Sequence, residues 1–337
     1  MTDPAPFKPF DEAGGLILAV RMPGGEADFG DQRRGWERLG ASESGGPLWV
    51  HLDRTKERAQ AWLRGEAGLD PVVAESLLAE ETRPRAQAFG EGLLVILRGI
   101  NMNPGAEPDE LISIRLWLEK GRIITLRQHR FATVAEIRAR AQAGKAPATP
   151  GAFLTAVAAG LTTRMGPSIL NLEEMLDDIE EEMLEKDSDD EGRRSQLATI
   201  RRQAIAYRRH LVPQRDALGA LVNGPQTLLS ARDQVELRVW LEQTTRACEA
   251  LEELRDRAAV TQEEMRARQE ARVGRTVYLL TIVATVMLPL GFLTGLLGIN
   301  VGGLPLAGSR WGFAIVCVLL GGLAALQVVW FRKKRWL

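Results

Sequence analysis

Residues 276–309 carry no charged side chain; Arg310 follows, then a second uncharged run over 311–331 and the basic tail Arg332, Lys333, Lys334, Arg335. Each run reaches the roughly 20 residues that an α-helix needs to cross a hydrocarbon core of about 30 Å. The segment between them, GINVGGLP, is too short to be a domain. The chain is therefore expected to end in a membrane hairpin, with nearly everything before it on one side. Arg266, Arg268, Arg272 and Arg275 precede the first run and the basic tail follows the second, whereas the connecting loop has only Arg310. Lys and Arg near span ends favour the cytoplasm. Both termini of this multi-pass chain are thus expected in the cytoplasm, with the loop outside. These basic residues read more simply as topology anchors than as ion-handling groups.

Residues 1–275 are rich in Arg, Glu, Asp, Ala and Leu and can hold a sizeable core. The formal net charge of −1 argues against a nucleic-acid partner. The N-terminus, MTDPAPFKPFDEAGG, lacks the basic-then-apolar pattern of a signal peptide, so the first span is expected to direct insertion itself. Cys248 and Cys317 are far apart, and neither a CxxC nor a zinc-finger spacing occurs. His51, His129 and His210 are widely separated, outside any HxxxH or HExxH, and read as surface or capping residues. No phosphate loop, GxSxG elbow, nucleophile–base pair or cofactor cradle stands at a recognisable spacing, so the chain does not read as an enzyme.

The first 130 residues read as a cytoplasmic α+β domain, a sheet with flanking helices. Residues 15–20 and 47–52 have strand-like composition; residues 55–65 read as helical; Asp70-Pro71 opens another helix ending near Glu81, with Asp70 as N-cap and Pro71 in the first turn. Residues 86–89, 93–98, 111–118 and 122–127, separated by Gly-rich turns, read as consecutive antiparallel strands. Ile112, Ile114, Leu116 and Leu118 alternate with Ser113, Arg115 and Trp117, which predicts one face toward a core. Residues 131–229 form a helical region: a long amphipathic helix over 152–185 with Pro167 as a kink or irregularity, an acidic tip, a break at Gly192, and a helix from 193. A stalk helix over 230–275 starts near Ser230 and continues into the first span, 276–298. The loop over 299–311, the second span over 312–331 and the tail over 332–337 complete the chain. In the stalk, Leu237, Leu241, Thr244, Cys248, Leu251, Leu254 and Ala258 recur at spacings of three and four, a stripe that packs on the same subunit or on a neighbour. So tall a helix needs partners, and oligomerisation is expected.

In the first span Thr281, Ala284, Gly291, Gly295 and Gly298 fall on one helical face, with Leu288 filling the gap. A stripe of small residues is a helix-packing face or the lining of a narrow pore. Pro289 frees nearby carbonyls. The run YLLTIVATVMLPLGFLTGLLGINVGGLP, closing with WFRKKRWL, resembles the membrane end of the CorA family of divalent-cation transporters, and more closely its zinc-transporting, ZntB-like branch. The family mark is Gly-Met-Asn after the first span; here it is Gly298-Ile299-Asn300, followed by Gly302, Gly303 and Pro305 as in the zinc branch. The resemblance covers the order of the whole chain and is specific over residues 278–305.

The resemblance implies a homopentameric funnel in the inner membrane. First spans line a central pore through Thr281, Ala284, Leu288, Gly291 and Gly295, and Gly298, Ile299 and Asn300 form its mouth. Asn300 would meet the hydrated ion through its amide oxygen. The outer loop has no acidic residue, which fits zinc better than magnesium. The implied activity is proton-gradient-stimulated zinc uptake, with no cofactor beyond the transported ion. Neutral oxygen donors are expected to discriminate poorly against Co²⁺, Ni²⁺ and Cd²⁺. Residues 276–331 contain no carboxylate or histidine, so no intramembrane proton relay of the usual kind is expected. Asp177, Asp178, Glu181, Glu182 and Glu185 are candidate cytoplasmic metal ligands, set against the simpler reading of a solvated helix face. Transport of Mg²⁺, Co²⁺ or Ni²⁺ by the same architecture is the alternative; a membrane-tethered coiled-coil scaffold or sensor is the rival of another class.

Overall fold

The computed structural model describes residues 11–24, 36, 39, 46–107, 109–183, 190–224, 227–299 and 308–334. They divide into two units, Met1–Thr261 and Gln262–Leu337.

The first unit is built on a six-stranded sheet, β1 (Leu16–Arg21), β2 (Leu48–Asp53), β3 (Arg85–Phe89), β4 (Gly92–Ile100), β5 (Leu111–Glu119) and β6 (Arg122–Arg127), in the order β1-β2-β6-β5-β4-β3. β3 to β6 form the expected antiparallel meander. β2 departs from it: it lies parallel to β6, with His51 opposite Thr125, and carries β1 on its outer edge. Two hydrophobic layers follow from the alternation of side chains along each strand. Trp49, Val95, Ile114, Leu116 and Ile123 face one way, and Val50, Leu52, Leu94, Trp117, Ile124 and Leu126 the other.

Both layers are covered. The second is closed by α1 (Glu57–Ala61), its π-helical continuation Trp62–Glu66, and α2 (Pro71–Leu78), through Ala59, Leu63, Val73 and Leu77. Asp70 caps α2 as expected, its carboxylate accepting from the Val72 amide at 2.7 Å, with Pro71 in the first turn. α2 ends at Leu78 rather than near Glu81, because Ala79 is extended. Arg115 then takes up the freed carbonyls: it is 1% exposed and donates to Leu77 O at 2.6 Å and Glu80 O at 3.3 Å. Burial, with Arg54, Arg98 and Arg85 nearby, pushes its guanidinium down to about 9, still protonated at neutral pH. A cation on the last carbonyls of a helix also matches the helix dipole. So Arg115 and Trp117, two of the three alternates of β5, are buried on the second side of the sheet rather than facing solvent.

The first layer is closed by α3 (Ala132–Gln142), α4 (Pro150–Glu182), α5 (Asp190–Asn223) and the start of α6 (Ala231–Leu297), through Ile137, Phe153, Val157, Leu218, Leu221 and Leu237. α4 is capped by the Thr149 hydroxyl, which accepts from the Ala152 amide, and runs on through Pro167. α5 already contains Gly192, so that glycine does not break the helix. Within the unit α6 keeps Leu237, Thr244, Cys248, Leu251, Leu254 and Ala258 buried, so the stalk stripe packs inside its own subunit. His51 is buried too, contrary to the expectation of a surface or capping histidine, because the sheet face it occupies is fully roofed by helices.

The second unit contains the remainder of α6 and α7 (Gly312–Lys333). Each holds an 18-residue window apolar enough to cross a membrane, and neither window is buried within the chain.

Candidate functional site

The membrane hairpin has a polarity that only structure reveals. On α6 the partly covered residues are Ile282, Val286, Pro289, Leu290, Leu293 and Leu297; on α7 the covered ones are Gly312, Val316, Leu320, Leu323, Ala324, Gln327 and Phe331. Each set recurs every three or four residues, so each is one face of its helix, and the two form the hairpin seam. At 3.6 residues per turn, Ala284, Leu288, Gly291, Gly295 and Gly298 lie about 180° around α6 from its seam residues. All are exposed in the single chain. A Cβ added at Gly291 or Gly295 meets no atom within 4 Å. Among the described residues, smallness at Gly291 and Gly295 therefore serves no contact with another part of the chain.

Thr281 sits at the border of that face. With Tyr278, Ile282, Thr285 and Phe331 it lines a cavity of about 210 Å³. Its hydroxyl donates to Val277 O at 2.8 Å, as Thr285 does to Thr281 O at 2.7 Å and Thr294 to Leu290 O at 3.0 Å. These hydroxyl hydrogens are committed to the helix itself, a common habit of threonine in helices.

α6 stops at Leu297, and the Gly298 amide bonds Thr294 O at 3.0 Å and Gly295 O at 3.2 Å, closing the last turn. Ile299 is 47% exposed. Asn300, Gly302, Gly303 and Pro305 lie outside the described residues.

The acidic candidates have other occupations. Asp177 and Glu180 both bind Arg257 of α6, at 2.5 and 2.6 Å, and Glu180 also accepts from the Thr261 hydroxyl at 3.1 Å. Glu182 lies 4.0 Å from the buried Arg193, whereas Asp178 and Glu181 point to solvent. Glu185 is outside the described residues. Among the described residues no group of three or more His, Cys, Asp or Glu side chains is arranged to hold a metal. The stalk carboxylates Glu263 and Glu264 are likewise near arginines, Arg266 at 3.8 Å and Arg268 at 2.6 Å.

Two polar side chains gained importance only with the fold. His51 Nδ1 lies 2.8 Å from the Thr125 hydroxyl, which also accepts from Trp49 Nε1 at 2.8 Å. Gln327, in the second span, has its Oε1 buried against the seam. Only a solitary amide in an apolar run marks it in the sequence.

The sequence pattern described as "CorA-like Mg2+ transporter protein" matches residues 44–333. The chain is 41% identical over 291 residues to the "Divalent cation transporter CmaX" of Pseudomonas aeruginosa, covering 86% of this chain and 87% of that one. It is 32% identical over 291 residues to the "Zinc transport protein ZntB" of Yersinia enterocolitica, covering 86% and 88%. The fold superposes on the full-length CmaX structure with a TM-score of 0.81 at 38% identity, over 97% of this chain and 99% of the other. The match to the CorA magnesium transporter of Methanocaldococcus jannaschii, TM-score 0.74 at 17% identity over 88% and 93%, shows the same fold. With two C-terminal spans, a roofed sheet and a matching sequence across most of its length, the chain belongs to the CorA-like family, whose members transport divalent cations and are not enzymes.

Proposed function

We propose that the chain forms a homopentamer in the inner membrane, both termini cytoplasmic, and takes up Zn²⁺ through a central pore lined by the first span. The observation that carries this reading is the small-residue face of α6, turned away from α7 and left open by its own chain. Copies arranged about an axis would bring these faces together, and glycine there leaves room for a partly hydrated ion. Gly298, Ile299 and Asn300 would form the mouth. A ring of amide oxygens accepts hydrogen bonds from a hydrated dication without trapping it, as conduction requires. The outer segment 299–310 has no acidic residue, which favours the zinc branch over magnesium. In this assignment residues 1–130 and 131–229 are cytoplasmic and 299–311 periplasmic.

A broader divalent selectivity is the second reading. It is favoured by identity: 41% to a protein described only as a divalent cation transporter, against 32% to a zinc transport protein. Uptake into proteoliposomes carrying a zinc-sensitive dye, with Co²⁺, Ni²⁺, Cd²⁺ or Mg²⁺ as competitors and with or without an acid-outside gradient, separates the two. Zinc entry accelerated by the gradient, and near-complete loss of flux in Asn300→Ala with normal expression and assembly, is the expected result. Zinc exclusion with magnesium entry would remove the zinc assignment, and wild-type flux in Asn300→Ala would remove the mouth.

A further inference from the structure

Gln327 is the only amide, hydroxyl or charged side chain in residues 312–331. It does not face outward. It falls on the covered stripe of α7 with Val316, Leu320, Leu323 and Phe331, and its Oε1 is buried without a hydrogen-bond partner among the described residues. A polar atom left unpaired in hydrocarbon is strongly unfavourable.

The first span carries a complementary defect. Pro289 lies inside α6 and has no N–H, so the carbonyl of Thr285, four residues earlier, loses its helical donor. The Thr285 hydroxyl does not compensate, being a donor already bonded to Thr281 O at 2.7 Å.

The two defects lie at one level of the hairpin. Phe331 shares its cavity with Tyr278, Thr281, Ile282 and Thr285. The spans run antiparallel, and Gln327 precedes Phe331 by one turn, about 6 Å. That step carries it along α6 from the middle of the cavity residues to the segment 285–289. Oε1 and the carbonyl are both acceptors, but half a turn of the carboxamide exchanges Oε1 for Nε2 and sets a donor in the buried position.

We infer that Gln327 donates its side-chain N–H to the Thr285 carbonyl and so braces the first span at its proline break. Gln327 is thereby a positioning residue: it fixes the outer half of α6, which holds Gly291 and Gly295, relative to the inner half. The inference rests on the hairpin seam and not on which ion passes, so failure of the zinc reading leaves it standing.

The test is a double-mutant cycle on the full-length protein in detergent, read by backbone hydrogen exchange over residues 286–293. Gln327→Leu is expected to speed exchange there roughly 3- to 15-fold, the range of measured interhelical hydrogen bonds in membranes. Pro289→Ala restores the N–H that caps Thr285, so in that background Gln327→Leu is expected to change exchange by less than about twofold. Unchanged exchange in the single variant, or the same acceleration in both backgrounds, overturns the inference. If Gln327→Leu yields no protein, Gln327→Met takes its place. Recovery of either only alongside Pro289→Ala supports the brace, and loss of both in both backgrounds overturns it.

Discussion

Replacing Thr125 with Val tests the polar knot beneath the helical roof. Thr125 is fully buried on β6, opposite His51 in the parallel pairing with β2. Its hydroxyl accepts from Trp49 Nε1 at 2.8 Å, meets His51 Nδ1 at 2.8 Å and lies 3.3 Å from Val50 O. Valine has nearly the same volume, so no cavity opens, and the β-branched shape suits the strand. What changes is hydrogen bonding alone. Trp49 Nε1 and His51 Nδ1 lose their partner in a region from which water is excluded, at about 1–3 kcal/mol each. The summed cost is about 2–6 kcal/mol, which for a unit of this size lowers the melting temperature by roughly 5–20 °C. The assay is thermal unfolding of the full-length protein in detergent, followed by tryptophan fluorescence, since Trp49 packs edge-on against Phe153 at 5.0 Å and reports on this core. Thr125→Ser keeps the hydroxyl and is expected to lose only what one methyl group contributes, about 1 kcal/mol. A Thr125→Val protein melting within a degree of wild type, or a Thr125→Ser protein as unstable as Thr125→Val, would show that the hydroxyl is not what holds Trp49 and His51.

Gly295→Val is expected to abolish metal flux while leaving the melting of the first unit unchanged, since a Cβ there meets nothing among the described residues; undiminished flux would show that the small face does not line the path. Stability is expected to fall on acidification. Burial holds His51 well below the usual histidine range and His210 at about 4, so the unfolded chain binds protons that the folded chain refuses, and stability present above pH of about 6.5 is lost toward about 4. Melting between pH 7.5 and 4.5 reads this, and a flat profile would mean that these imidazoles are solvated. Neutralising the carboxylates Asp177, Glu180, Glu263, Glu264 and Glu270 together is expected to blunt any pH response of uptake, measured in proteoliposomes at matched protein density. A fully retained response would leave water or the ion's own hydration shell as the carrier. Arg257→Ala is expected to loosen α4 from α6 by about 1 kcal/mol, because its two carboxylate bonds are solvent-screened.

What was legible in the sequence was local. Two apolar runs with basic flanks announce a hairpin because membrane thickness dictates their length. Asp70-Pro71 announces a helix start because both residues act on the turn they begin. Long-range pairing leaves no such mark: nothing near Trp49 or His51 says that their strand will align with residue 125 rather than with a neighbour. The burial of His51 followed from that pairing, and with it the failure to see it as a core residue. Arg115 read as the polar side of a half-exposed strand because an arginine in an alternating pattern normally meets water; here it meets the end of α2. Within the site, periodicity found the small face of α6 and by itself favoured helix packing; only the family resemblance pointed to a pore lining. The burial pattern of the hairpin adds only which face of α6 the second span occupies.

The parallel contact between β2 and β6 also orders events during synthesis. Strands β3 to β6 follow one another and can pair as they emerge. The β1–β2 ribbon cannot join them until residue 127 has left the ribosome, so the apolar faces of Leu48, Val50 and Leu52 must wait while the whole stretch from Arg54 to Arg127 is made. Closing so long a loop is entropically slow, and an open strand edge in that interval is sticky. Yet the spans come last of all. A sheet that is finished before the first membrane helix appears can be sealed in water, and the bilayer then receives a chain whose hardest topological step is already behind it.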